Sequence, residues 1–237
     1  MKLRLVALAT FAAVGASAQA ETVALWDFNS FSCTSNCAMP KATQTANGGV
    51  LTAVGAITFS SAGGAGTGSA LNTATYAAQG TGNLTRGVQF MVDTTGYTDL
   101  VLSFAQRNSA TASAWTMLRY TLDGSSWQNA TTFQMPAASS TTFVSGLTYS
   151  FAAIAGANDN TNFGIQLLTT FAPGTSAYLA TGASSSYGTA GTIRYDNVMF
   201  SGTAIPDTPL PIPEPSSYAL MLAGLAGISL IARRRSR

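Results

Sequence analysis

The chain has 237 residues, of which 8% are charged, 46% are hydrophobic and none is histidine. Histidine triads and histidine-built zinc sites therefore have no residue to run on. A formal charge of +2 supplies no counterion-release engine, so no nucleic-acid partner is expected.

Taken from the start, Met1-Lys2-Leu3-Arg4 is a short basic region, and an apolar run follows up to Gly15. Ala18-Gln19-Ala20 then offers small residues at a cleavage site. This is the layout of a secretory signal-peptide helix over residues 1–20, because the apolar run falls short of the roughly 20 residues that a membrane span needs. Glu21 becomes the first residue of the exported chain.

Residues 21–204 have the texture of an all-β domain. Runs rich in Val, Ile, Leu, Phe, Tyr, Thr and Trp are separated by clusters of Gly, Ser, Asn and Asp, which predicts strands near 22–28, 50–60, 87–92, 99–106, 114–122, 142–147, 162–170, 177–181 and 192–201. Alternation is clear at Leu100, Leu102 and Phe104. Asp123-Gly124 between two such runs is a hairpin cue. Stretches 60–82 and 180–191 are poor in core-forming residues and read as long surface loops, the glycine-dense 63–68 among them. Many short strands with regular turns predict a single β-sandwich of jelly-roll-like topology.

Residues 205–212 are a proline-rich linker, stiff and extended. Residues 213–237 begin with Pro213-Glu214-Pro215, continue through a short hydrophobic helix and end in Arg233-Arg234-Arg235-Ser236-Arg237. The apolar stretch 216–232 sits at the lower edge of a spanning helix, with arginines as a cytoplasmic stop. The plain reading is a C-terminal membrane anchor that leaves the body outside.

Those three parts, in that order, resemble the PEP-CTERM sorting signal of Gram-negative bacteria. The resemblance covers about the last 25 residues, with Pro213, Glu214, Pro215, Arg233, Arg234 and Arg235 as its carriers. It implies an exosortase partner in the membrane, cleavage near the Pro-Glu-Pro, and release to or attachment at the cell surface or extracellular matrix. It also implies a setting that makes exopolysaccharide. The body resembles lectin-like β-sandwich domains of such anchored proteins. That likeness rests on Ala24-Leu25-Trp26-Asp27-Phe28, the stretch from Tyr120 to Trp127, Asn160-Thr161-Asn162-Phe163-Gly164, and Ile193-Arg194-Tyr195-Asp196-Asn197-Val198. It implies a fold and a loose association with glycans, and no activity.

Cys33 and Cys37 are the only cysteines, and in an exported chain they are expected to close a small disulfide ring. Asp27, Asp159, Asn160, Asn162, Asp196 and Asn197 form the oxygen-rich set that a structural calcium ion would want. First and last strands of a sandwich often lie adjacent, which would bring Asp27 and Asp196 together; the alternative reading makes 159–162 a plain turn. No other cofactor is expected. Catalysis is disfavoured because a serine nucleophile lacks a base. A glycosidase pair would have to be made of aspartates, since Glu21 and Glu214 stand at the chain ends. Among aromatics, Trp26 and Trp115 read as packing residues, whereas Trp127 after the hairpin turn and Tyr187 in a Ser/Gly loop are the candidates for stacking on sugar.

The exported region therefore reads as a non-enzymatic surface or matrix protein associated with exopolysaccharide or biofilm. The alternative is a carbohydrate-binding module with a defined sugar site, and an exported hydrolase ranks third. Leader and tail hold six of the eleven basic residues. Between them the chain keeps five basic residues against eight acids, so the working part is weakly acidic.

Overall fold

The computed structural model describes residues 19–206 and 215–235. Most of the predicted leader, and Pro213 and Glu214 of the tail motif, lie outside them. The chain divides into two compact units, residues 1–205 and 206–237.

The described residues of the first unit form twelve strands: β1 Ala20–Trp26, β2 Gln44–Thr45, β3 Gly49–Val54, β4 Thr58–Gly63, β5 Ser69–Ala74, β6 Gly87–Val92, β7 Tyr97–Asn108, β8 Trp115–Thr121, β9 Gln128–Gln134, β10 Val144–Ser150, β11 Gly164–Thr169 and β12 Ile193–Ala204. One sheet runs β10-β7-β12-β1-β2, with the β4–β5 hairpin joined to β12 through β5. The other runs β3-β6-β11-β8-β9. Every pairing between these strands is antiparallel. From β6 to β12 the chain passes repeatedly between the sheets, with only β8 and β9 consecutive in one. This is the jelly-roll arrangement that the strand pattern predicts.

Between the sheets lies an aromatic core. Trp26 meets Phe90 edge-on at 5.0 Å, Phe163 meets Phe200 at 6.2 Å and Phe151 at 5.1 Å, and Phe151 meets Tyr149 at 4.8 Å. Edge-to-face geometry aims the positive ring edge at a negative ring face. Strand β6 passes so close to β11 that a Cβ at Gly87 would collide with the Leu167 carbonyl, so this position admits no side chain.

Three expectations need correction. The run predicted as one strand at 50–60 is two strands in different sheets, β3 and β4, parted by a turn at Gly55 (φ +68°). The predicted loop 60–82 contains most of the β4–β5 hairpin, whose Ala70 and Leu71 are fully buried. Its small residues suit a strand pressed against neighbours, so composition hid it. Finally, 177–181 contributes only a single bridge, Ser113 to Ala180, because Tyr178 is spent on packing and turn contacts instead of a ladder.

The Asp123-Gly124 cue does mark a hairpin, but the connection spans residues 122–127 and is organised by a side chain. The Asp123 carboxylate accepts from the backbone N–H of Ser126 at 2.6 Å and of Ser125 at 2.8 Å, and from the Thr121 hydroxyl at 2.9 Å. Those donors, Ser126 first, hold its pKa well below the usual carboxylate range. A depressed folded-state pKa stabilises the fold above the unfolded value near 4 and is lost as pH falls. Asp123→Asn is therefore expected to lower the melting temperature at pH 7, with the gap to wild type closing as pH drops below about 4. A gap of constant size across that range in thermal melts would contradict the assignment.

In the second unit, α1 spans Pro215–Arg235. Proline suits a first helical position because its missing N–H has no partner to lose there, and Arg233 and Arg234 lie in the last turn, where the helix dipole favours cations. Met221, Leu222, Leu225, Ile228 and Ile231 are all exposed. No helix among the described residues is long and apolar enough to cross a membrane. Within α1, Ser216, Ser217 and Tyr218 precede the mainly apolar run 219–232, in which Ser229 is the one polar side chain. At 1.5 Å per residue that stretch covers about 21 Å of a roughly 30 Å hydrocarbon layer.

Candidate functional site

Two surfaces of the β-sandwich bring the predicted site residues together with others. The first is the junction of first and last strands. Trp26 pairs with Val198, so register places Asp27 across from Asn197 and beside Asp196. Asp196 is 1% exposed. Its carboxylate accepts from the N–H of Ala65 at 2.6 Å and of Asn197 at 2.8 Å. Burial raises its pKa, Asp27 adds to the rise, and the two N–H groups oppose it. Asp27 in turn accepts from the Thr43 hydroxyl at 2.7 Å and the Asn29 N–H at 3.2 Å. The glycine loop between β4 and β5 thus closes over Asp196, and a Cβ on Gly64 would lie 2.7 Å from its Oδ2. Among the described residues no group of three or more His, Cys, Asp or Glu gathers as a metal site, so any cation here would need amide and carbonyl oxygens to complete its shell.

Asp159, Asn160 and Asn162 stand elsewhere, as a turn. Asp159 accepts from the Gly96 N–H at 2.9 Å, and the Asn160 side chain takes the Asn162 N–H at 2.7 Å. Cys33 and Cys37 are disulfide-bonded, with Cα atoms 5.9 Å apart. The bond staples the loop after β1, where a cavity of about 550 Å³ is lined by Asp27, Phe31, Cys37, Lys41 and Thr43 among others.

The second surface is the outer face of the five-stranded sheet. Thr116 and Leu118 of β8 face the core: Thr116 accepts from Gln106 of the opposite sheet at 2.9 Å, and Leu118 belongs to the apolar cluster. Alternation therefore puts Trp115, Met117 and Arg119 on the outer face. Across β11 and β6 the same face carries Gln166 opposite Arg119, and Gln89 opposite Gln166. The Gln166 amide donates to Gln89 Oε1 at 2.9 Å. Three enclosed polar atoms on this face have no hydrogen-bond partner among the described residues: Trp115 Nε1, Arg119 Nε and Gln166 Oε1. Each of the three is enclosed by its neighbours, so what this face offers to a ligand is the partly exposed surface of the Trp115, Arg119 and Gln89 side chains.

Trp127 and Tyr187 lie at opposite ends of β8. The Trp127 carbonyl accepts from Arg119 Nη2 at 2.9 Å, which ties Trp127 to the outer face at its far end. Tyr187 stacks on Tyr178 at 4.5 Å and donates to the Ala77 carbonyl at 2.7 Å. Burial, with Tyr178 beside it, pushes its hydroxyl up to about 12. Its ring face is therefore partly engaged by protein. Trp115, read from sequence as packing, is half-buried on the outer face; Trp26 is fully buried. The period-2 pattern of 114–122 was the available signal for the Trp115–Arg119 row.

The body is similar in solved structures to the CBM22-1 xylan-binding domain of Paenibacillus barcinonensis Xyn10C, at 14% identity and a TM-score of 0.43, over 80% of this chain and 99% of that one. It is also similar to the CBM22-1–GH10 modules of Clostridium thermocellum Xyn10B complexed with xylohexaose, at 10% identity and 0.39, over 80% of this chain and 28% of that one. No curated protein matches the chain by sequence. At the other end the comparison is direct: residues 211–236 match the PEP-CTERM protein-sorting motif, and the chain is an exported β-sandwich protein carrying that sorting signal at its C-terminus.

Proposed function

We propose that the exported body is a non-catalytic glycan-binding module at the cell surface or in the extracellular matrix, delivered there by its PEP-CTERM tail. The observation that carries this reading is the outer face of the five-stranded sheet. Arg119, Gln166 and Gln89 line up across β8, β11 and β6, and the Trp115 indole lies on the same face four residues along β8 from Arg119. Sugars need this mixture of aromatic area and fixed hydrogen-bonding groups. A non-catalytic role is supported by how the body's aspartates are spent. Asp93, Asp123 and Asp159 hold turns through backbone N–H groups, Asp27 and Asp196 hold loops, and Asp99 accepts from the neighbouring Thr98 hydroxyl at 3.2 Å. A glycan array probed with the full-length chain tests the reading: a saturable hit supports it. Silence would favour the second reading, a structural or adhesive matrix component without a defined sugar site, with exopolysaccharide and biofilm as its setting.

The exposed apolar face of α1 gives exosortase, and the membrane in which it works, a segment to recognise before release. In that reading the helix enters the membrane only during processing, and the arginines in its last turn stay at the cytoplasmic side.

We also propose a structural calcium ion between Asp27 and Asp196, because the antiparallel pairing of β1 with β12 brings the two carboxylates near one another there. Extracellular calcium modules bind at about 10⁻⁴ to 10⁻³ M. Calcium at about 10 mM should therefore raise the melting temperature over EDTA by several degrees, the linkage gain being roughly 1.4–2.7 kcal/mol. Superimposable melts in EDTA and calcium would remove the ion from the account.

A further inference from the structure

On the outer face of the other sheet, Arg107 of β7 and Arg194 of β12 are direct register partners. Like charges directly opposite one another repel, and the hydrogen bonds these two make among the described residues go to carbonyls. Arg107 Nη2 donates to the Ser140 carbonyl at 3.2 Å and Arg194 Nη1 to the Gly63 carbonyl at 3.3 Å. A guanidinium has five N–H donors, so both keep donors in reserve. Asp196, two residues from Arg194 along β12, is turned instead to the Ala65 N–H. Burial and the charge of Arg107 both lower the Arg194 pKa.

Both arginines line a cavity of about 390 Å³ together with Gly64, Thr142, Phe143 and Ser145, a volume within the range of small-ligand sites. The Thr142 hydroxyl is committed to the Ala138 carbonyl at 3.0 Å. Ser145 is exposed and Phe143 half-buried, so the rim offers a hydroxyl and an aromatic surface beside the cations.

We propose that Arg107 and Arg194 form a binding site for the carboxylate of an acidic sugar in a polysaccharide. Guanidinium forks match a carboxylate bidentately. The bound anion would turn an unfavourable arginine pair into a favourable triad. Phe143 gives the sugar ring an apolar seat, which a bare inorganic anion would not use. The body is weakly acidic, so two local cations select single anionic groups without attracting nucleic acid. This site lies on the sheet opposite the Trp115–Arg119 face. It shares with the proposed function only the premise that the exported body meets polysaccharide.

The test is calorimetric titration of the full-length chain with tetragalacturonate and with its methyl ester, which keeps the ring and removes the charge. The acid is expected to bind in a salt-weakened manner, at least tenfold tighter than the ester. Arg107→Gln and Arg194→Gln are each expected to weaken it at least tenfold while melting no lower than wild type, since each relieves the repulsion. Trp115→Ala should leave it unchanged, which separates this site from the outer face of the five-stranded sheet. Equal binding of acid and ester would overturn the proposal. So would inorganic sulfate binding as tightly as the sugar acid, or a well-folded glutamine variant of normal affinity.

Discussion

Trp26→Ala is expected to lower the unfolding free energy by about 3–5 kcal/mol, the range for deleting a large buried aromatic. Against a typical total of about 5–15 kcal/mol, that is enough to leave a marginal domain partly unfolded. The size follows from where the indole sits. Trp26 closes β1 in the seven-stranded sheet, yet its ring reaches Phe90 of β6 at 5.0 Å and Phe200 of β12 at 6.5 Å. A Cβ on Gly49 of β3 would lie 2.7 Å from its ring. One side chain therefore packs against strands of both sheets, and its loss opens a cavity that neither sheet can collapse into without shifting register. The indole Nε1 is buried without a partner among the described residues, so Trp26→Phe removes an unsatisfied donor along with some volume and should cost less than half as much. Urea unfolding followed by circular dichroism reads both variants. Equal losses for alanine and phenylalanine would show that something other than the lost volume sets the cost.

Trp115→Ala is expected to weaken binding to the strongest neutral glycan on the array at least tenfold. Aromatic anchors at binding surfaces typically cost about 2 kcal/mol or more on truncation. Trp115 is half-buried on the outer face, whereas Trp26 is fully buried between the sheets, so its removal should change the melting temperature less than that of Trp26. This contrast makes the result interpretable, since a binding loss without a stability loss locates the sugar. An unchanged affinity in a folded variant would move the glycan away from this face. Arg119→Lys is a useful companion. It keeps the charge but removes the unpartnered Nε and the fork that holds the Trp127 carbonyl.

Much of this architecture is legible without coordinates, for a local reason. A strand announces itself through alternation over five or six consecutive residues, as Leu100, Leu102 and Phe104 do in β7. A sorting tail announces itself through contiguous parts. Where local pattern failed, composition competed with it. The β4–β5 hairpin is rich in Ser, Ala, Thr and Gly, which promise a loop, yet Ala70 and Leu71 are buried by neighbours far away in sequence. The segment at 50–60 reads as one apolar run, because nothing within it reveals that the turn at Gly55 sends its halves to different sheets.

The candidate sites divide in the same way. Cys33 and Cys37 lie four residues apart, and their pairing is legible from spacing and compartment. Asp27 and Asp196 are a long way apart in the chain, and their meeting depends on β1 lying beside β12.

By itself, then, the amino-acid sequence determined the export address, the all-β class and the absence of histidine chemistry, because each is a property of composition or of neighbouring residues. The tertiary structure alone decided that Trp115 joins Arg119 and Gln166 on the outer face of one sheet, and that Arg107 stands opposite Arg194 across a ladder. Strand register sets these encounters. A shift of one residue would have turned every one of these side chains to the other face of its sheet.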